Sequence, residues 1–377
     1  MAFCSSHCSL IKFKSSNFHD TCWMLDNVTL TSLHLSPNDA NFVYSEKESI
    51  MAGVVIALQS IFGTILNFLV IVALLRNSEL RKEYLTPTII SIAIANFIHS
   101  IYTLPILSCH FLMKDMPITD CLFFSFVGIS VWFCSAWNLL GFSWLRCLAV
   151  WFPQKCNGRT FKNISNSLPV ISWLIAFFFF FPIFLKKSGR FGLECKTLMC
   201  NYVNVGSDGE AAVTDLYVIF KIILITIGVL ILILNVVTFV KVSKKIKELT
   251  KEEKGENVNI ARRILEKEKQ MGIMLASLSI LYFLVYCPSF VLTYMDPYAR
   301  LTQTTISIIC NVMNWSIGVL DPLVYVICQK SYRLEIQTIL QSIISCCKKK
   351  STVESPAQMH RIVYKSNNAI TLETVHE

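Results

Sequence analysis

The chain has 377 residues and a formal net charge of +9, yet 54% of its residues are hydrophobic and only 16% are charged. That balance is too apolar for an ordinary soluble domain. The cations gather beside long apolar runs rather than along one polar face, so the basic excess does not read as a nucleic-acid surface.

Residues 1–50 read as an extracellular tail. Met1 to Lys14 is rich in Cys and Ser and lacks an apolar run with a small-residue cleavage site, so the first apolar segment is expected to serve as its own signal anchor. Asn27-Val28-Thr29 is a usable glycosylation acceptor, and Cys4, Cys8 and Cys22 stand where oxidation is possible.

From there to 327 the chain holds seven segments long enough to cross a bilayer, which takes roughly 20 mostly apolar residues. They fall at about 51–75, 86–108, 118–151, 167–185, 214–242, 268–294 and 302–327. Alternating strands of barrel type are absent, and only helices or closed barrels satisfy their backbone in lipid. The fold class expected is therefore all-α: a seven-transmembrane helix bundle over 51–327 with an amphipathic eighth helix over 328–347.

Lys and Arg retained near span ends set orientation. Arg76, Arg81 and Lys82 follow the first span, Lys155, Arg159 and Lys162 the third, Lys241 to Lys247 the fifth, and Lys330, Arg333 and Lys348 to Lys350 the seventh. These outnumber Lys114, Lys186, Lys187 and Arg190 on the other side. A multi-pass plasma-membrane protein with its amino terminus outside and its carboxyl terminus in the cytoplasm follows.

Several spans carry residues out of keeping with plain packing. The first has Asn67 in Leu66-Asn67-Phe68-Leu69-Val70, where the bland reading is packing glue. The second has Asn96. The third has Cys121 near its outer end and Leu145-Arg146-Cys147 at its inner end. The fourth has Trp173 and Pro182. The sixth has Val285-Tyr286-Cys287-Pro288, whose proline removes one helical hydrogen bond and would kink the helix. The seventh ends in Asp321-Pro322-Leu323-Val324-Tyr325. Beyond it, Cys346-Cys347 is placed for palmitoylation at the inner leaflet, so membrane lipids are expected partners. The tail over 348–377 is polar, with Ser351, Thr352, Ser355, Ser366, Thr371 and Thr374 as phosphorylation candidates.

In this order and on these sides of the membrane, the motifs resemble the rhodopsin family of G-protein-coupled receptors over about 51–347. The resemblance implies a receptor that passes an extracellular signal to a heterotrimeric G protein, and to arrestin through the tail. It implies a disulfide from Cys121 to Cys200, with Cys195 as a competitor. It implies coupling residues Arg146, Glu268 and Tyr325, a polar switch of Asn67, Asn96, Ser135 and Asp321, and helix kinks at Pro288 and Pro322. Leu85 to Ala95 and the loop from Gly192 to Cys200 are similar to the invertebrate moody and trapped-in-endoderm receptors.

The departures matter as much. Asn96 stands where the family has an aspartate and Asp321 where it has an asparagine, so the two look exchanged. A carboxylate at membrane depth costs roughly 2.5–3.5 kcal/mol on insertion scales and needs partners. Leu145 replaces the acid that restrains the arginine, which predicts an Arg146 free to point at a partner, with Glu268 as a second restraint from the sixth span. The fifth span lacks the family's proline and tyrosine. Gly128 stands where amine receptors carry an aspartate, so the ligand is not a typical amine.

The expected ligand pocket is aromatic and apolar: Gly128, Trp132, Tyr286, Phe290 and Trp315, with Phe124 and Val131. Lys221 either meets an acidic ligand group or snorkels to the headgroups. The competing function is a seven-helix receptor that does not couple to G proteins, being arrestin-biased or scavenging. A transporter would show two similar halves, which are absent. An enzyme is disfavoured, since there is no glycine-rich phosphate loop, His-x-x-x-His pair or nucleophile elbow. No cofactor is expected, and the fifteen cysteines, mostly single residues in apolar spans, read as small hydrophobes rather than metal ligands.

Overall fold

The structure is a computed structural model that describes residues 23–25, 46–113, 118–153, 156, 159–184, 190–194, 199–205, 211–213, 215–251, 256–295 and 304–353. Within these, side chains are described outside 23–25, 118–122, 182–221, 249–264, 290, 293–304, 307 and 346 onward. Asn27 lies outside the described residues, as do the side chains of Cys121, Cys200, Lys221, Phe290, Cys346 and Cys347.

Helix α1 runs from Glu46 to Arg76, with Glu46 and Glu48 in its first turn and Arg76 in its last, each sign opposite to the helix-dipole end it faces. A short α2, Ser78–Lys82, follows; Asn77 caps it by accepting from the amides of Glu79 at 3.0 Å and Leu80 at 3.2 Å. The second span is α3, Thr86–Ile98, a π turn at His99–Thr103, and α4, Leu104–Met113. Pro105 has no amide to give its helix, and the wider turn falls just before it.

The third and fourth spans are α5, Ile118–Trp151, and α6, Arg159–Phe184. Helix α6 starts well before the expected 167, because its polar first turns are tied down: the Ser165 hydroxyl donates to the carbonyl of Tyr84, and Phe161 packs on the Tyr84 ring at 5.3 Å. Between the fourth and fifth spans β2, Arg190–Glu194, and β3, Met199–Val205, pair antiparallel, and β1, Trp23–Leu25, and β4, Ala211–Val213, extend them into one four-stranded sheet, β1-β2-β3-β4. Cys200 opposes Leu193 in this register, and β2 and β3 lie against α5.

The fifth and sixth spans are α7, Asp215–Lys251, and α8, Glu256–Met295, which runs unbroken through Pro288. The seventh is a bent pair, α9, Thr304–Trp315, and α10, Ile317–Cys328, at 46° to each other. The bend is at Ser316, not at the expected Pro322. At Ser316 the hydrogen bonding tightens to three-residue steps, Ser316 to Met313 at 3.0 Å and Val319 to Ser316 at 2.9 Å. Pro322 leaves the carbonyl of Gly318 without its helical donor, and the Asn67 amide donates to that carbonyl at 2.7 Å, so α10 stays regular there. Helix α11, Lys330–Val353, passes the expected end at 347, with Tyr332, Ile336 and Ile339 buried on one face.

Among the described residues six helices are long and apolar enough to span a membrane, and the bent pair, taken as one span, makes a seventh. The bundle turns residues such as Phe62, Phe178, Val240 and Leu284 outward, as a lipid-facing surface requires, and buries Leu139, Phe142, Leu145, Leu275, Leu278 and Tyr325 in its main core. Apolar burial does not drive helices together in lipid, so close approach and hydrogen bonds must. At Gly63 a Cβ would collide with the Ser100 hydroxyl and stand 3.5 Å from the carbonyl of Gly318. The π turn thereby wedges Ser100 between the first and seventh spans, and Ser60 donates to the Ser100 carbonyl at 2.8 Å.

Candidate functional site

Among the described residues, two clusters centred on an acid interrupt the apolar interior, and both are assembled from different spans. The first sits at the end of α5. Arg146 is 0% exposed, among the largest fully buried side chains described. Its Nη2 donates to the backbone carbonyl of Glu268 at 2.7 Å, and its Nε lies 3.5 Å from Glu268 Oε2. A charge in this position is expensive unless paired and hydrogen-bonded.

The acid missing at Leu145 thus does not leave Arg146 free. Leu145 packs fully buried in the core, and α8 supplies both the countercharge and the carbonyl. The Tyr84 hydroxyl donates to Glu268 Oε1 at 3.4 Å. Burial, chiefly, holds the Tyr84 phenol well above its ordinary range, so it remains a neutral donor to the carboxylate. One residue earlier Lys267 donates to Glu83 Oε1 at 2.6 Å. Two adjacent residues of α8 therefore hold two adjacent residues of the turn before α3. On the fifth span Lys241 sits 3.8 Å over the Trp151 ring, tying α7 to the same end of α5.

The second cluster lies deeper. Asp321 on α10 is 1% exposed, and its Oδ2 accepts from Asn96 Nδ2 at 2.9 Å and from the Tyr282 hydroxyl at 3.3 Å. Asp321 Oδ1 has no hydrogen-bond partner among the described residues. The exchanged pair, Asn96 and Asp321, is in direct contact. Ser135 reaches Asn96 Oδ1 at 3.5 Å rather than the acid. Asn67 is not part of this cluster: its amide spans the carbonyls of Gly63 at 2.8 Å and Gly318 at 2.7 Å.

Two polar contributors escaped the sequence reasoning. Tyr282 brings α8 onto Asp321 and lies one helical turn before Tyr286, a spacing that puts both rings on one face. Asn235 stands in the apolar fifth span and donates to the hydroxyls of Ser143 on α5 and Ser279 on α8, each at 3.3 Å. Both serines spend their own hydrogens on carbonyls one turn back, Leu139 at 3.0 Å and Leu275 at 2.7 Å, which leaves their lone pairs for Asn235. A lone amide in such a span was the available signal.

The expected pocket residues divide into two groups. Trp132 meets Tyr286 edge-on at 4.5 Å, and Tyr286 meets Tyr282 at 5.2 Å. Trp315 instead packs on Phe111 at 6.3 Å, in a separate cluster with Phe124 and Ile308. Gly128 admits Thr103 of the π turn, whose methyl would lie 3.2 Å from a Cβ there. Tyr325 is buried with its ring 6.4 Å from that of Tyr332 on α11. Near the turn after α1, Glu335 of α11 accepts from Asn77 at 3.0 Å and pairs with Arg76 at 3.7 Å. Among the described residues no three His, Cys, Asp or Glu side chains group to hold a metal.

Residues 66–325 match the family described as the 7 transmembrane receptor (rhodopsin family). Protein trapped in endoderm-1 of Drosophila melanogaster is 19% identical over 316 residues, 78% of each chain. The crystal structure of squid rhodopsin shares 16% identity with a TM-score of 0.69, covering 81% of this chain and 88% of that one.

Proposed function

Since the chain belongs to the rhodopsin family of seven-transmembrane receptors, we propose that it carries an extracellular signal to a heterotrimeric G protein by outward movement of α8. The observation behind this reading is the Arg146–Glu268 contact. With α8 in place the guanidinium is sealed from any partner. A ligand that favours an arrangement with Glu268 withdrawn shifts the population toward it in proportion to its differential affinity. The uncovered guanidinium then offers several N–H donors to a docking G protein.

Asp321, with Asn96 and Tyr282, is the polar switch of this scheme, since it joins the second, sixth and seventh spans through one carboxylate oxygen. Tyr325 belongs to the coupling surface, and Trp132 and Tyr286 to the floor of the ligand pocket. The orientation set by the cations, the plasma-membrane location, the Cys121–Cys200 bridge, the Asn27 glycan, the Cys346–Cys347 palmitates and arrestin recruitment by the tail complete the proposal.

A second reading, a receptor that engages arrestin or scavenges ligand without coupling, draws support from Leu145 and from a fifth span without the family's tyrosine. G-protein dissociation sensors for each major class, read in cells with wild type and Arg146→Ala at matched surface expression, separate the two. A basal signal that Arg146→Ala abolishes supports coupling. Absence of any signal alongside arrestin recruitment supports the second reading.

A further inference from the structure

We propose that Gly272 is the seat of the Arg146 guanidinium and sets how closely α8 rests on α5. This deepens the reading of the Arg146–Glu268 contact as a restraint. A Cβ built on Gly272 would stand 2.5 Å from Arg146 Nη2, 3.1 Å from Cζ and 3.2 Å from Nη1. The Nη2 end of the guanidinium therefore occupies the volume that a side chain at Gly272 would fill.

The end of an arginine ordinarily swings aside cheaply, but this one is held. Nη2 is engaged by the Glu268 carbonyl at 2.7 Å, Nε lies beside the Glu268 carboxylate at 3.5 Å, and no part of the side chain is exposed. Glu268 and Gly272 are one turn apart on α8, so they present one face: the first grips the guanidinium and the second makes room for it. An added methyl forces a choice between leaving Glu268 and pushing α8 away, and both undo the contact.

Glycine inside a helix weakens it relative to alanine, and α8 runs unbroken through this position, so neither a kink nor a cap accounts for the residue. Gly228 of α7 supplies the contrast, because nothing lies within 4 Å of its Cβ position.

The test is a distance, which reads the resting geometry whether or not a G protein is the partner. Spin labels are placed bio-orthogonally at the exposed Lys162 of α6 and Lys269 of α8 in the full-length receptor in lipid nanodiscs. Gly272→Ala is expected to lengthen the separation, moving the closed-to-open ratio by about tenfold. In an Arg146→Ala background, where the contact is already gone, adding Gly272→Ala is expected to lengthen the separation no further, because the methyl then occupies the space of the lost guanidinium.

An unchanged distance in Gly272→Ala overturns the proposal. So does a further lengthening when Gly272→Ala is added to Arg146→Ala, which would assign the glycine to ordinary helix packing. If Gly272→Ala alone is not produced, recovery of production in the double variant supports the seat, and failure of both overturns it.

Discussion

The Arg146 contact and the Asp321 cluster both centre on an acid, but they are bound in opposite ways. Glu268 is 18% exposed on its side chain and faces a full cation, with its carbonyl taking the better hydrogen bond. Asp321 is enclosed and meets only neutral donors, Asn96 and Tyr282, both on one oxygen. In the proposed mechanism the first is a latch at the edge of the bundle that one span can leave. The second is a knot of three spans, whose cost of unmaking is the desolvation of everything in it. On the proposed reading a restraint and a switch are thus separable in this chain, and substitutions at the two sites should differ in kind.

The largest effect belongs to Asp321→Ala. It strands the Asn96 amide and the Tyr282 hydroxyl, each costing about 1–3 kcal/mol when a buried donor loses its acceptor. The thermal midpoint of the purified receptor should fall by several degrees; an unchanged midpoint would contradict the knot. Asp321→Asn keeps an acceptor and removes the charge. Surface expression should hold while basal or agonist-driven signalling changes, and identical signalling would show that the carboxylate has no switching part.

Asn235→Leu comes next. Both serines keep their bonds within their own helices, so the loss is about 1 kcal/mol at most, near what interhelical hydrogen bonds contribute in membranes. The expected readout is a modest rise in basal activity with little change in thermal midpoint. The smallest effect belongs to Lys267→Ala, because a half-exposed pair contributes about 0.2–1 kcal/mol and is screened by salt. Its influence on basal signalling should fade as ionic strength rises in a membrane preparation; a salt-independent effect would argue against an ion pair with Glu83.

The bundle was legible in the sequence because span length and apolarity are fixed by the bilayer. The ends were less so. The regularity of α10 at Pro322 and the early start of α6 depend on contacts with other spans: Asn67 serves the Gly318 carbonyl that Pro322 leaves without a donor, and Ser165 donates to the carbonyl of Tyr84. The β2–β3 pair was invisible to the long windows that find spans, since a strand of five residues averages away.

At the site, the exchange of Asn96 and Asp321 was readable from motif positions alone, and so was Glu268 as a candidate. The state of Arg146 was not. The missing acid at Leu145 argued for freedom, and only the packing of α8 on α5 reveals the carbonyl that holds it. Tyr282 and Asn235 carry polar atoms in apolar runs, yet nothing local says which neighbour each will meet.

The most direct test of the restraint is basal G-protein dissociation at matched surface expression, comparing wild type, Glu268→Ala and the double variant Arg146→Ala/Glu268→Ala. A latch with a coupling energy of about 1–3 kcal/mol predicts a basal signal raised several-fold by Glu268→Ala. The same account predicts that the double variant loses that signal. Equal basal signals in wild type and Glu268→Ala would contradict it.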